Sequence, residues 1–143
     1  MRKNRAWLGL MVLLFILSSC VNREKEIRKE LKLGIKLMYI GRQTEAIEHF
    51  ENVIEMDSTE VEAYLNLGRT YYNQGKYDLA MKQFNRCIHF KPDYGEAYRS
   101  RGLLWKALGD HDKFCADYIK AEDLGVKNLT NYTSKCRAAH LHK

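Results

Sequence analysis

Several chemistries are missing from this 143-residue chain. It has no phosphate-cradling glycine loop, no His-Glu-x-x-His and no Gly-x-Ser-x-Gly elbow, so the usual nucleotide, metalloprotease and serine-hydrolase signatures are absent. Carboxylates are plentiful, but Glu45, Glu48, Glu51 and Glu55 recur at helical spacing and read as a solvated stripe. An enzyme is therefore not expected, and no cofactor or metal is implied. Nucleic-acid signals are equally thin. Of the net charge of +6, Arg2, Lys3 and Arg5 carry half, and no basic helix face or zinc-finger spacing accompanies the rest. The chain also lacks an apolar run able to cross a bilayer. The best candidate, Ala6 to Leu17, would rise about 18 Å as a helix against a hydrocarbon core of about 30 Å.

That short run has another meaning. A basic segment, Met1 to Arg5, precedes it, and Ser18, Ser19 and Cys20 follow, which is the layout of a secretory signal peptide. Leu17-Ser18-Ser19-Cys20 resembles the bacterial lipobox, in which a branched apolar residue and two small residues precede a cysteine. The resemblance implies cleavage before Cys20 and acylation of its sulfur and new amine. Two or three acyl chains hold a protein stably on a membrane where one is marginal. Residues 1–19 are accordingly expected to be a signal peptide and 20–26 a lipidated tether merging into the first helix of the domain. An uncleaved, tilted anchor extending through Val21 is the alternative.

A period then organises the remainder. Gly34, Gly68 and Gly102 are evenly spaced along the chain, each inside a helix-compatible stretch. A helix-interior glycine costs about 1 kcal/mol relative to alanine, so its recurrence points to a close helix–helix approach repeated in each unit. An interval of this size signals a stacked repeat. In residues 61–94, Tyr64, Leu67 and Tyr71 make one apolar stripe and Ala80, Phe84 and Cys87 another, with Gly75 as the turn between them and Pro92 as the stop. Phe84 and Tyr71 are expected to fill the flanks while Gly68 and Ala80 let the axes approach.

Those residues closely resemble the tetratricopeptide repeat. The resemblance implies an all-α solenoid of helical hairpins, with three repeats at 27–60, 61–94 and 95–128. The first unit departs at Glu30, where an aromatic is usual, and at Ser58, where proline is. The third departs at Arg101 for leucine, His111 for tyrosine and Phe114 for a small residue. Phe114 predicts wider helix spacing or a ring tilted into the gap opposite Gly102. Residues 129–143 are expected to form a capping helix and tail, with Leu129, Tyr132 and Cys136 on one face.

Cys115 falls on the last helix of the third repeat and Cys136 on that cap. A disulfide is expected in an exported protein, and closing a loop of about 20 residues would contribute about 3 kcal/mol in the chain-entropy model. The run from Gly109 to Gly125, followed by a terminal cysteine, also resembles a recurrent bacterial repeat lipoprotein. Two reduced thiols, or a zinc set completed by His111 and His140, are the alternatives. Cys87 reads as a packed hydrophobe.

In this family the first helices of successive units line a concave groove. Transferred by register, the expected partner contacts are Tyr39, Leu65, Arg69, Tyr72, Arg99 and Lys106. The family's carboxylate clamp is not expected, because Leu31 and Ile35 stand where lysine and asparagine would be, and only Asn66 matches. The implied function is a membrane-anchored adaptor or assembly factor of the bacterial cell envelope, with the outer membrane as the expected site. Its partner would be a protein offering a helical or extended segment, with nucleic acid excluded. A lipoprotein that self-associates through its solenoid ends is the alternative.

Overall fold

The computed structural model describes residues 3–140 along the backbone and the side chains of residues 21–139. Seven helices follow one another: α1 (Lys3–Tyr39), α2 (Gln43–Met56), α3 (Val61–Asn73), α4 (Tyr77–Phe90), α5 (Gly95–Ala107), α6 (His111–Asp123) and α7 (Thr130–His140). Among the described residues there is no strand, and no helix is long and apolar enough to cross a membrane. Helices α1/α2, α3/α4 and α5/α6 pack as hairpins, α2 meets α3, α4 meets α5, and α7 closes the array on α6. Helix α3 also touches α1 and α5, which places the three first helices side by side. Residues 21–26, read as a tether, continue α1 with exposed side chains.

Each hairpin reverses at the same place in the period. Gly75 has φ +72°, a left-handed conformation that L side chains adopt only under strain, with Gly41 and Gly109 equivalent. The next turn uses different chemistry in each unit. Between α2 and α3, the Asp57 carboxylate accepts from both the Thr59 amide and hydroxyl, at 2.9 and 2.7 Å, so an Asx turn stands where Pro92 serves between α4 and α5. Tyr64 and Tyr98 then donate their hydroxyls back to the carbonyls of Ser58 and Pro92, each at 3.0 Å.

The periodic glycines do more than bring axes together. A Cβ on Gly34 would meet the Phe50 ring at 2.7 Å, one on Gly68 the Phe84 ring at 2.6 Å, and one on Gly102 the Tyr118 ring at 2.6 Å. The aromatic of the second helix thus sits on the glycine rather than filling the flank. Phe50 and Phe84 are at most 1 % exposed, and burying each contributes about 2 to 3 kcal/mol. For the same reason the Phe114 ring does not tilt into the gap opposite Gly102: Tyr118 already occupies that space. Phe114 packs against Tyr118, the rings tilted by 49° with centroids 4.4 Å apart, and Tyr132 of α7 meets it edge-on at 6.2 Å. The face of α7 holds Leu129 and Cys136 as expected and differs at one position. Leu129, Thr133 and Cys136 are buried, whereas Tyr132 is 45 % exposed at the edge.

Candidate protein-binding groove

Helices α1, α3 and α5 enclose a depression of ≈ 310 Å³ that draws together Tyr39, Arg69, Tyr72 and Arg99 with Met38, Leu103 and Ser100. These side chains come from successive repeats, and the period superposes them on one side of the array. Tyr39 stands 79 % exposed at the rim, and Leu103 is also exposed. The Tyr72 ring is held against Tyr77 at 5.7 Å. Apolar surface and aromatic rings therefore line a shallow groove rather than an enclosed cavity.

A charged cluster crosses its floor. Glu96 Oε2 accepts from Arg69 Nη2 at 2.9 Å and from Arg99 Nε and Nη2 at 3.0 and 2.7 Å. Arg69 Nε also donates to Ser100 Oγ at 3.1 Å. Two guanidiniums share one carboxylate, so the cluster carries one net positive charge. About a third of each of these three side chains remains exposed, leaving donors within reach of a ligand. Register placed Arg69 and Arg99 in the groove. It did not show that Glu96 reaches Arg69 of the preceding repeat, nor that Ser100, the neighbour of Arg99, takes part.

Two expected contacts lie elsewhere. Leu65 is 2 % exposed and belongs to the core around Phe84 and Leu104, so it presents no surface to a partner. Its inward turn reflects the close lateral packing of α3 between α1 and α5. Lys106 lies beyond the depression, its ammonium 5.7 Å from the Phe114 ring centre and 5.2 Å from that of Tyr132. The carboxylate clamp has no counterpart: Leu31 is buried, and Asn66 is buried with its amide donating to its own helix at Glu62 O, 2.9 Å away.

The structure joins Cys115 and Cys136 by a disulfide, with Cα atoms 5.3 Å apart. Bonded to each other, the sulfurs are not thiolate ligands. His111 is exposed, and the His140 side chain lies outside those described. Among the described residues no cluster of three His, Cys, Asp or Glu could hold a metal ion. Cys87 is a buried free thiol whose pKa is pushed up to about 12 by burial, and it donates to Val61 O at 3.3 Å. The side chain of Cys20, the expected lipidation site, lies outside the described residues.

One polar site went unread in the sequence. Glu30, in α1, accepts from His49 Nδ1 at 2.7 Å and from Asn52 Nδ2 at 3.4 Å, both in α2. The His49 hydrogen bond is the chief cause holding the Glu30 carboxyl below its ordinary range. Its usual aromatic counterparts, Tyr64 and Tyr98, bond to a preceding turn. Glu30 bonds to its own hairpin partner instead.

Comparison with known proteins places these features in context. The tetratricopeptide repeat profile matches residues 61–94, and a second profile, described as TPR repeat, matches residues 34–75. DnaJ homolog subfamily C member 3 of Gallus gallus is 31 % identical over 81 residues, covering 57 % of this chain and 16 % of that protein. Hsp70-Hsp90 organising protein of Plasmodium falciparum is 28 % identical over 120 residues, covering 82 % of this chain and 47 % of that protein. The chain thus spans less than half the length of these curated relatives. Among solved structures, MamA superposes with a TM-score of 0.64 at 31 % identity, over 69 % of this chain and 58 % of that one. The first TPR of Spaghetti (RPAP3) bound to the HSP90 peptide SRMEEVD superposes with a TM-score of 0.72 over 82 % of this chain and 94 % of that one, but at 23 % identity it is a likeness of fold.

Proposed function

Because the chain belongs to the tetratricopeptide repeat family, we propose that it is a protein-interaction adaptor whose α1/α3/α5 groove takes an extended or helical segment of a partner. One observation carries this reading: Tyr39, Arg69, Tyr72 and Arg99, from three repeats, line one shallow groove of mixed apolar and polar surface with a net positive charge. Tyrosine and arginine are among the residue types that dominate binding energy at protein interfaces. The net positive cluster favours a segment with an acidic side chain beside an apolar one. No catalytic step is assigned to it.

The setting belongs to the same proposal. The lipobox-like Leu17-Ser18-Ser19-Cys20 supports an exported lipoprotein of the bacterial envelope, anchored through Cys20 with its groove displayed beyond the anchor. Site-specific photo-cross-linking in native membranes tests both parts. A cross-linker at Tyr39 is expected to capture one partner that a cross-linker at Glu55, which is exposed on α2, does not capture. Arg69→Ala with Tyr72→Ala should weaken capture on the order of tenfold or more, and Cys20→Ala should move the chain out of the membrane fraction. Equal capture from both positions would sink the groove, and unchanged fractionation of Cys20→Ala would sink the anchor.

A further inference from the structure

The two ends of the solenoid are closed differently. At the carboxy-terminal end α7 covers the apolar face of α6, with Leu129 and Cys136 buried and Arg137 paired to Glu122 and Asp123. At the other end, among the described residues, nothing covers the outer face of α1. Leu33 shows what that means. It holds the same unit position as Leu67, which is 3 % exposed beneath the preceding hairpin, yet Leu33 is 37 % exposed because no hairpin lies over it.

The residues around Leu33 are cationic. An open depression of ≈ 560 Å³ is lined by Lys25, Arg28, Lys29, Lys32, Leu33 and Lys36 and by nothing else. From residue 23 to 36 the exposed positions carry six basic and two acidic side chains. The third acid, Glu30, faces inward and is engaged by His49. Glu24 and Glu26 are matched by Arg28 and Lys29. Among the described residues no carboxylate pairs with Lys25, Lys32 or Lys36. The interleaved glutamates hide this face in the sequence, which reads as lacking a basic helix surface. The fold turns one of them inward and leaves the lysines together.

We infer that this outer face of α1 lies against an anionic lipid surface, which holds the first repeat flat beside the anchor and orients the groove. The inference rests on the anchor at Cys20. Lys25 to Lys36 spans about 16 Å along the same helix that carries Cys20, beginning little more than one turn beyond it. An anchored chain therefore presents these cations within reach of the headgroups, where each basic residue strengthens attachment about fivefold. The lysine stems and Leu33 supply an apolar floor while the ammoniums reach the phosphates. A stacking hairpin does not fit a cationic face. A second copy of this end is repelled by like charge.

The test uses the full lipidated chain reconstituted into vesicles of phosphatidylcholine alone or of phosphatidylcholine mixed with phosphatidylglycerol. Flotation reads the anchor, and sparse acylation mapped by mass spectrometry reads each lysine, with exposed Lys82 and Lys127 as references. The expected result is flotation with both vesicles. Acylation of Lys25, Lys29, Lys32 and Lys36 should slow several-fold in the anionic vesicles only, and recover in 1 M salt, where the Debye length is about 3 Å. A full-chain Lys29→Gln, Lys32→Gln, Lys36→Gln variant, altered only at exposed positions, should still float and should lose the protection of Lys25. Equal acylation in both vesicles despite flotation overturns the lipid face and leaves the anchor standing. Failure to float with either vesicle overturns the anchor and the inference together. Protection in native membranes but not in protein-free anionic vesicles assigns the face to an acidic protein and also overturns it.

Discussion

Arg101 and Asp117 occupy unit positions where the middle repeat has Leu67 and Gln83, and they form a two-pronged ion pair. Arg101 Nε and Nη2 donate to the two carboxylate oxygens at 2.8 Å each, and Nη1 donates to Asn85 at 2.7 Å. The Asp117 side chain is only 8 % exposed, so removing its partner strands a buried charge. Arg101→Leu is expected to lower stability by about 3 kcal/mol. Adding Asp117→Gln, which recreates the middle repeat's pair, should restore more than half of that loss in urea denaturation; additive losses would show that the two positions are not coupled. Glu30 gives a pH signature. Its carboxyl is depressed in the folded chain, so it stabilises the fold above the ordinary glutamate value of 4.5, and that contribution is lost as pH falls through the lower folded value. Glu30→Gln should therefore cost about 1 to 2 kcal/mol at neutral pH, with the gap to the parent chain closing under acid conditions. A gap independent of pH would mean that packing, and not charge, is what the substitution removes. Neither pair was legible in the sequence, where Glu30 and Arg101 read only as departures from a repeat pattern and their partners drew no notice.

At the scale of elements, α7 is the least self-sufficient helix. It packs on α6, is reached from α5 by Lys106 at the Tyr132 ring, and buries few residues; its polar run Thr130 to Ser134 has modest helix propensity, and the Cys115–Cys136 bond ties it down. Reduction, or Cys136→Ser, should lower stability by about 3 kcal/mol in the chain-entropy model. It should also speed tryptic cleavage after Lys135 and Arg137, while cleavage after Lys82 stays unchanged. Equal cleavage rates before and after reduction would show that Leu129, Thr133 and the Arg137 ion pairs hold α7 without the bond. The existence of this helix was readable from the apolar positions past Asn128. Leu129 and Cys136 on its buried face were readable too, but Thr133 in place of Tyr132 was not, because that choice depends on how α7 lies on α6, with the Tyr132 ring at the edge against Phe114.

Across the whole molecule the cores of neighbouring hairpins run together, with Ile54 and Tyr71 packed against both the first and second clusters. Cys87 lies fully buried in the middle one. Its alkylation should wait on opening of the whole array, proceeding in urea with the global transition and remaining slow in native buffer, whether or not the Cys115–Cys136 bond is intact. Rapid labelling in native buffer would reveal a middle repeat that opens alone. The repeat period, the glycine turns and the apolar stripes determined the number of hairpins and the side on which α1, α3 and α5 align. Those signals are local, set by the periodicity of the helix and by backbone conformations that glycine and proline favour or forbid. Tertiary structure decided the rest, since it depends on neighbours in other helices and other repeats. It buried Leu65, tied Arg69 to Glu96, set Tyr118 rather than Phe114 over Gly102, and left the lysines of α1 together where no hairpin covers them.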